Sequence, residues 1–420
     1  MAAIYHDDTT IFGLPAERGR WILLALGITS LLCLGTVYSW SIFRKPLELE
    51  LGINATQSLL PYTASLLGYS FSMSVAGFYI PRLGTRTVAT IGGLMVGLGY
   101  ILASFATHIG TITLTYGVIA GTGVGTAYGV PMVVMARWFP ERKGFAVGLT
   151  IIGFGLSPLI TAPLASSLIA AFDVRLTLRI LGLAFTVIVL AIATTLKLPP
   201  KDWQPACARA AQTKTVPQTY PPHLLKSRSF YGLWICYAIG TLVGLSAIGI
   251  SSPVAEEIIN IGPQQAAISV ALFALFNGLS RPLFGWLSDL YRPRYVAIAS
   301  YVLMLIACQM MLTAQSGQVI TYLIAFCLFW FSLGGWLAMA PAITLRLFNP
   351  ENYAQNYGIV FSAYGVGALI GTLTAGQIRD WFGTYTYAFY PMALLAIVGI
   401  VVASIMLKPD AQQVSIDDSP

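Results

Sequence analysis

Residues 272–294 read LFALFNGLSRPLFGWLSDLYRPR, and two features of that stretch decide the fold. Up to Leu290 it has the character of a membrane helix, interrupted by one arginine, Arg281. It then closes on GWLSDLYRPR (285–294), which matches GFYIPRLGTR (77–86) at an offset of 208, keeping the first glycine and the last arginine. A second pair, RWFPERKGFAVGLTIIGFGLSPLI (137–160) and RLFNPENYAQNYGIVFSAYGVGALI (346–370), sets Gly148 and Phe154 opposite Gly358 and Tyr364 at an offset of 210. The chain therefore reads as a duplicated membrane unit.

Of the 420 residues, 56% are hydrophobic and 9% charged, and the mean hydropathy is +0.75, which excludes an ordinary soluble domain. Apolar stretches long enough to cross a hydrocarbon core of roughly 30 Å as helices recur along the whole length. Six lie near 20–43, 58–81, 86–107, 110–138, 144–171 and 176–196, and six near 229–255, 264–288, 295–314, 318–346, 357–380 and 384–407. The expected fold is an all-α membrane protein of twelve transmembrane helices in two pseudo-symmetric six-helix bundles. It divides into an N-terminal tail (1–19), a first bundle (20–196), a Pro-rich basic linker (197–228), a second bundle (229–407) and a C-terminal tail (408–420).

The net charge of +7 does not point to nucleic acid, because its residues are scattered through short connections. Seventeen of the 23 Lys and Arg fall on the side shared by the two termini, and only Arg44, Lys45, Arg175, Arg179 and Arg379 on the other. That asymmetry makes the terminal side cytoplasmic in a plasma membrane, as in a bacterium or archaeon. Arg281 belongs to neither side. The five cysteines show no paired spacing and are read as packing residues, and the three histidines are too far apart for a metal site. No cofactor is expected. The GTGVGT run (121–126) fails as a dinucleotide loop because no strand precedes it; with Gly117, Gly121, Gly125 and Gly129 it forms a small-residue stripe for close helix contact.

The repeated decapeptide resembles the signature loop of the major facilitator superfamily, G-x-x-x-D-R-x-G-R-R between the second and third helices. In that family the aspartate caps a neighbouring helix and the basic residues control cytoplasmic closure. Here Pro81 takes the aspartate position in the first copy, while the second keeps Asp289 and has Arg292 in place of the glycine. The resemblance implies gating by Asp289 and Arg294, with Arg82 and Arg86 as first-half counterparts. Ordinary basic loops would explain the charges but not the repeat. GTVYSW (35–40), GTGVGTAYG (121–129), RWFPERKGFAVG (137–148), FNGLSRPLFGWLSD (276–289) and NYGIVFSAYG (356–365) are similar to the oxalate/formate antiporter family. The RP and RPR around Arg281 also resemble the monocarboxylate (lactate and pyruvate) transporters. The resemblance runs from Trp21 to about Leu407.

An arginine within a span costs roughly 2.5–3.5 kcal/mol by insertion measurements, and it stays protonated. No Asp or Glu lies in the middle of any span, so no carboxylate is an obvious permanent partner for Arg281. One solution is a water-filled cavity in which a small anion completes the guanidinium fork. The other is a structural arginine bonded to helix carbonyls or snorkelling to a surface. Asn277, four residues earlier, shares the helical face and either orients the guanidinium or packs against a neighbouring helix. The family resemblance implies that Tyr364 stands where the oxalate transporter has a second cation, and that Tyr38 and Tyr128 line the cavity. One cation neutralises a monoanion but leaves oxalate in excess. Trp336 and Phe361 complete the candidate walls.

These residues point to secondary transport of a small monocarboxylate such as lactate or pyruvate by alternating access, with protons as the coupling partner and a monomer as the working form. Anion exchange of the oxalate/formate type needs no titrating group and stays open. A membrane enzyme should show a nucleophile, base or metal cluster at depth, and a solute sensor a soluble output domain; the sequence displays neither.

Overall fold

In a computed structural model, the described residues are 9–200, 203, 224–348 and 353–407. They form twelve long helical segments. The first half comprises α1 (Ala16–Leu34), a 3-10 turn (Gly35–Ser39) and α2 (Trp40–Leu51) as one span, then α3 (Ala55–Leu83) and α4 (Thr85–Ala103). The fourth span is built from α5 (Ile109–Ile112), a π-helical stretch (Thr113–Ala120) and α6 (Gly121–Trp138), and α7 (Lys143–Ala171) and α8 (Val174–Ala193) follow. The second half comprises α9 (Arg228–Val254) with a π-helical extension to Ile259, α10 (Pro263–Leu290), α11 (Pro293–Leu312), α12 (Val319–Leu347), α13 (Tyr353–Phe382) and α14 (Phe389–Met406). Most of the linker and both outermost tails lie outside the described residues.

Local chemistry sets the boundaries. Gly52 and Asn260 end their helices in the left-handed region, at φ 62° and 61°. Asn54 opens α3 through a capping box, accepting from the Gln57 amide (2.8 Å) while Gln57 reaches back to the Asn54 amide (3.1 Å). Asp173 caps α8 through the Leu176 amide (2.6 Å), and proline opens both α10 and α11.

Two boundaries and the character of one span differ from the sequence expectation. Residues 10–15 form a small β-hairpin (β1, Thr10–Ile11; β2, Leu14–Pro15) and the first helix starts at Ala16, so the expected tail is partly structured. The first span runs to Leu51 rather than 43, carrying Arg44 and Lys45 within the helix. The second span is a long helix, yet among the described residues only eleven helical segments are apolar enough for a bilayer, and α3 is not one of them. It buries Ser58, Thr63, Ser65, Ser70 and Ser72 against other helices, so its polarity faces protein instead of lipid.

The bundles meet along two helix pairs, α3 with α13 and α7 with α10. In span order these are second with eleventh and fifth with eighth, so exchanging the halves (second for eighth, eleventh for fifth) turns one pair into the other. A two-fold relation between halves requires that exchange. The small-residue stripe does what its spacing implies: a Cβ on Gly117 would stand 2.7 Å from the Ala64 methyl, and one on Gly121 2.5 Å from Ser65, so α3 closes directly on the fourth span. Outer helices present Val187 (68% exposed) and Leu394 (62%) outward, as lipid-facing positions should. Both helical ends, Ala16 and Met406, emerge on one face, here called the terminal face.

Candidate functional site

Counting from the terminal face places the central residues at one depth. Arg281 is nine residues before the end of α10, Tyr128 ten before the end of α6, and Tyr364 eleven after the start of α13, or roughly 14–17 Å along each helix. Arg281 is 1% exposed and Asn277 is fully buried. The guanidinium crosses between bundles: one terminal nitrogen donates to the Ile151 carbonyl on α7 (2.5 Å) and the other to Asn277 Oδ1 (3.1 Å). Asn277 is itself fixed, its amide nitrogen donating to the Trp330 carbonyl on α12 (2.8 Å). Arg281 Nε has no hydrogen-bond partner. No carboxylate pairs with Arg281 among the described residues.

Two of the three guanidinium nitrogens are thus bonded, through two of five N–H donors, but to neutral acceptors, and the net charge stands. No open vestibule exposes it in this conformation: Arg281 and Asn277 are buried. Gly155 explains how the fork fits, since a Cβ there would lie 2.7 Å from Asn277 Oδ1 and 2.9 Å from Arg281 Nε.

Around this cation stands an aromatic cluster. The Tyr38 and Tyr364 hydroxyls meet across the bundle boundary at 3.1 Å. Tyr69, which the sequence did not single out, is its hub, with ring centroids 5.1 Å from Tyr128, 5.6 Å from Phe154, 5.4 Å from Phe361 and 5.3 Å from Tyr364. Phe154 closes the ring against Tyr38 and Tyr128, each at 5.1 Å. Trp336 stands outside that ring and reaches it through Tyr237, which stacks on Trp336 and packs on Phe361, both at 6.2 Å. No cluster of potential metal ligands occurs among the described residues.

Among the described side chains, the expected gate residues Arg82, Arg86 and Arg294 do not join the bundles. Arg82 and Arg86 are exposed and form no ion pair among the described residues. Arg294 donates to the neighbouring Tyr295 hydroxyl (2.6 Å) and covers its ring. The Asp289 side chain lies outside the described residues.

Closure is instead built at the opposite face, by charged residues near that face. Arg44, fully buried, donates to Ser58 Oγ (2.9 Å), to the Ala55 carbonyl (3.0 Å) and to Glu48 (3.3 Å) within its own bundle. Across the boundary it donates to the Gly249 carbonyl (3.0 Å) and the Tyr385 hydroxyl (2.7 Å). Lys45 pairs with Glu257, which also binds Arg379 at 2.6 Å. Asp380, on α13, accepts the Ala55 and Thr56 amides (3.0 Å each), seating a carboxylate on the N-terminus of α3. The spacing of Arg44, Lys45 and Glu48 on one helix turn was the available signal.

Comparison with known proteins agrees with this architecture. The chain is 26% identical over 92% of its length to the oxalate:formate antiporter of Oxalobacter formigenes, covering 91% of that protein. It is 27% identical to the uncharacterized MFS-type transporter YhjX of Escherichia coli (84% of this chain, 87% of that one). It is also 27% identical to monocarboxylate transporter 12 of Rattus norvegicus (78% and 71%). Among solved structures, a bacterial homolog of the human lysosomal transporter Spinster, inward-facing and unoccupied, superposes with a TM-score of 0.66 at 14% identity over 94% of this chain and 96% of that one. The nucleoside transporter NupG gives 0.69 at 14% identity over 92% and 100%. The family profile covers residues 21–257 and 233–418, so that the chain belongs to the Major Facilitator Superfamily of membrane transporters.

Proposed function

We propose that the protein carries a small monocarboxylate, such as lactate or pyruvate, across the plasma membrane by alternating access, in symport with protons. The observation that supports this most is the buried Arg281 guanidinium with its unpartnered Nε and no carboxylate paired with it among the described residues. Neutral acceptors fix its orientation without removing its charge. A carboxylate placed about 4 Å away would gain about 4 kcal/mol at an effective dielectric of 20, more than the insertion cost of the arginine. With Tyr364 in place of a second cation, a monoanion leaves the site neutral and a dianion leaves it charged.

The terminal face is cytoplasmic by its excess of basic connections. On this reading the latch of Arg44, Lys45, Glu257, Arg379 and Asp380 is the outer gate, and its rupture admits substrate. Tyr38 and Tyr364, joined across the boundary, separate with it. The oxalate:formate antiporter and the monocarboxylate transporter among the relatives are consistent with anion cargo, and the oxalate:formate relative makes anion exchange the second reading.

The test is uptake of labelled lactate and pyruvate into proteoliposomes under an imposed proton gradient. Symport predicts proton-driven accumulation that Arg281→Ala abolishes and Arg281→Lys lowers at least about tenfold. Uptake that strictly requires trapped internal anion would establish exchange instead.

A further inference from the structure

We propose that cargo held at Arg281 leaves toward the terminal face through the seam between α7 and α10, past Gly148 and Gly285, while the symmetry-related seam between α3 and α13 stays shut on that side. The Arg281–Ile151 hydrogen bond is then the last closure of the passage. The inference rests on the anion-carrying role of Arg281.

The repeat allows the two seams to be compared position by position. Gly148 on α7 and Gly358 on α13 are equivalent, each five residues into its helix. A Cβ on Gly358 would collide with the Ser74 carbonyl oxygen of α3. Two turns further in, a Cβ on Gly365 would lie 2.8 Å from Ser70 Oγ, a hydroxyl that donates across the seam to the Phe361 carbonyl (3.2 Å). Near the other end of α13, a Cβ on Gly376 would stand 2.7 Å from Thr56 Cα. The α3–α13 seam is therefore tight at all three levels.

The α7–α10 seam is tight only as far as Arg281. On the outer side of that residue a Cβ on Gly278 would stand 2.5 Å from Leu156 Cδ2, and at its level Gly155 admits the guanidinium. Gly285 follows Arg281 by one turn, about 6 Å, toward the terminal face and shares its side of α10. Gly148 precedes Gly155 by two turns on the side of α7 that meets α10. At both positions a Cβ would find no atom of the described residues within 4 Å, and both glycines are partly exposed, whereas Gly358 is buried. The helices thus part below the arginine, and the crevice ends where Arg281, 1% exposed with its Nε unpartnered, donates to the Ile151 carbonyl (2.5 Å). A carboxylate competes with that neutral carbonyl on favourable terms, because charge-assisted hydrogen bonds are about twice as strong as neutral ones. Cargo on the guanidinium therefore loosens α7 from α10 at the head of the crevice.

The experiment uses Gly285→Cys and Ser74→Cys as reporters of the two seams, each combined with Cys207→Ser, in inside-out membrane vesicles treated with an impermeant maleimide. Gly285→Cys should react at least about tenfold faster than Ser74→Cys, and saturating pyruvate should change its rate at least about threefold while leaving that of Ser74→Cys unaltered. Gly285→Leu fills the crevice, and its Cβ meets no described neighbour. It should lower pyruvate counterflow in proteoliposomes at least about tenfold, while calorimetry of the purified variant still registers pyruvate binding. Comparable reactivity at the two seams, a Gly285→Cys rate indifferent to pyruvate, or wild-type counterflow in Gly285→Leu overturns the inference while leaving Arg281 as the anion site. Absence of both pyruvate counterflow and pyruvate binding in the wild type overturns the transport reading and this inference with it. Should Gly285→Leu fail to fold, Gly148→Leu and the two labelling rates still decide.

Discussion

Gly155→Ala separates the anion site from the fold more cleanly than removal of any charged residue. Position 155 is inside α7, where alanine is the better helix former by about 0.5–1 kcal/mol, so the substitution should not weaken the helix itself. Its new methyl, however, would sit 2.7 Å from Asn277 Oδ1 and 2.9 Å from Arg281 Nε, closer than non-bonded atoms tolerate. Neither side chain has slack. Asn277 is tied to the Trp330 carbonyl and Arg281 to the Ile151 carbonyl, so relief requires breaking one of these bonds or moving α7 from α10. Overpacking of this kind costs about 1–3 kcal/mol, which the helical gain offsets only in part. If the displaced group is the anion-binding fork, the loss appears as a KM raised roughly 5- to 150-fold, with Tm within a few degrees of wild type. Concentration-dependent uptake in proteoliposomes, paired with thermal unfolding in detergent, reads both. Wild-type KM in a folded Gly155→Ala would refute the placement of substrate at the Arg281–Asn277 pair.

Other outcomes follow from the same geometry. Tyr38→Phe and Tyr364→Phe each remove one neutral hydrogen bond, so each should shift KM by about 2- to 10-fold, and the double variant should cost little more than the larger single one. Asp380→Ala frees two amides at the start of α3 and removes a helix-end carboxylate worth about 0.3–1 kcal/mol; labelling of Leu59→Cys by an impermeant maleimide should accelerate roughly 2- to 5-fold. Glu257→Gln disconnects Lys45 from Arg379, and because these groups are partly exposed its effect on the same labelling should fade as salt rises. Arg281→Lys keeps the charge but loses the fork, so uptake should fall at least about tenfold despite unchanged net charge.

How far the sequence carried depended on what each residue signals by itself. The duplication survived in two aligned segments, and the fold followed from it. Arg281 announced itself because a permanent cation in an apolar run has few explanations, and Asn277 followed from helical periodicity. Tyr69 and Tyr237 did not, because they are two of 21 tyrosines and neither repeats nor breaks a pattern. Gly155 is legible only once α7 is known to lie against α10. Arg44 and Lys45 follow the apolar run 20–43, and charge commonly marks the end of a helix. The helix continues through them because Arg44 finds five acceptors, two of them in the other bundle, and that long-range satisfaction leaves no trace in local sequence.

Calorimetric titration of the purified protein with pyruvate and with oxalate, in the wild type and in Arg281→Gln, bears most directly on whether a lone buried cation awaits a single negative charge. The account predicts one pyruvate bound per chain, weaker oxalate, and no detectable heat from either in Arg281→Gln. Undiminished pyruvate affinity in a folded Arg281→Gln would contradict it.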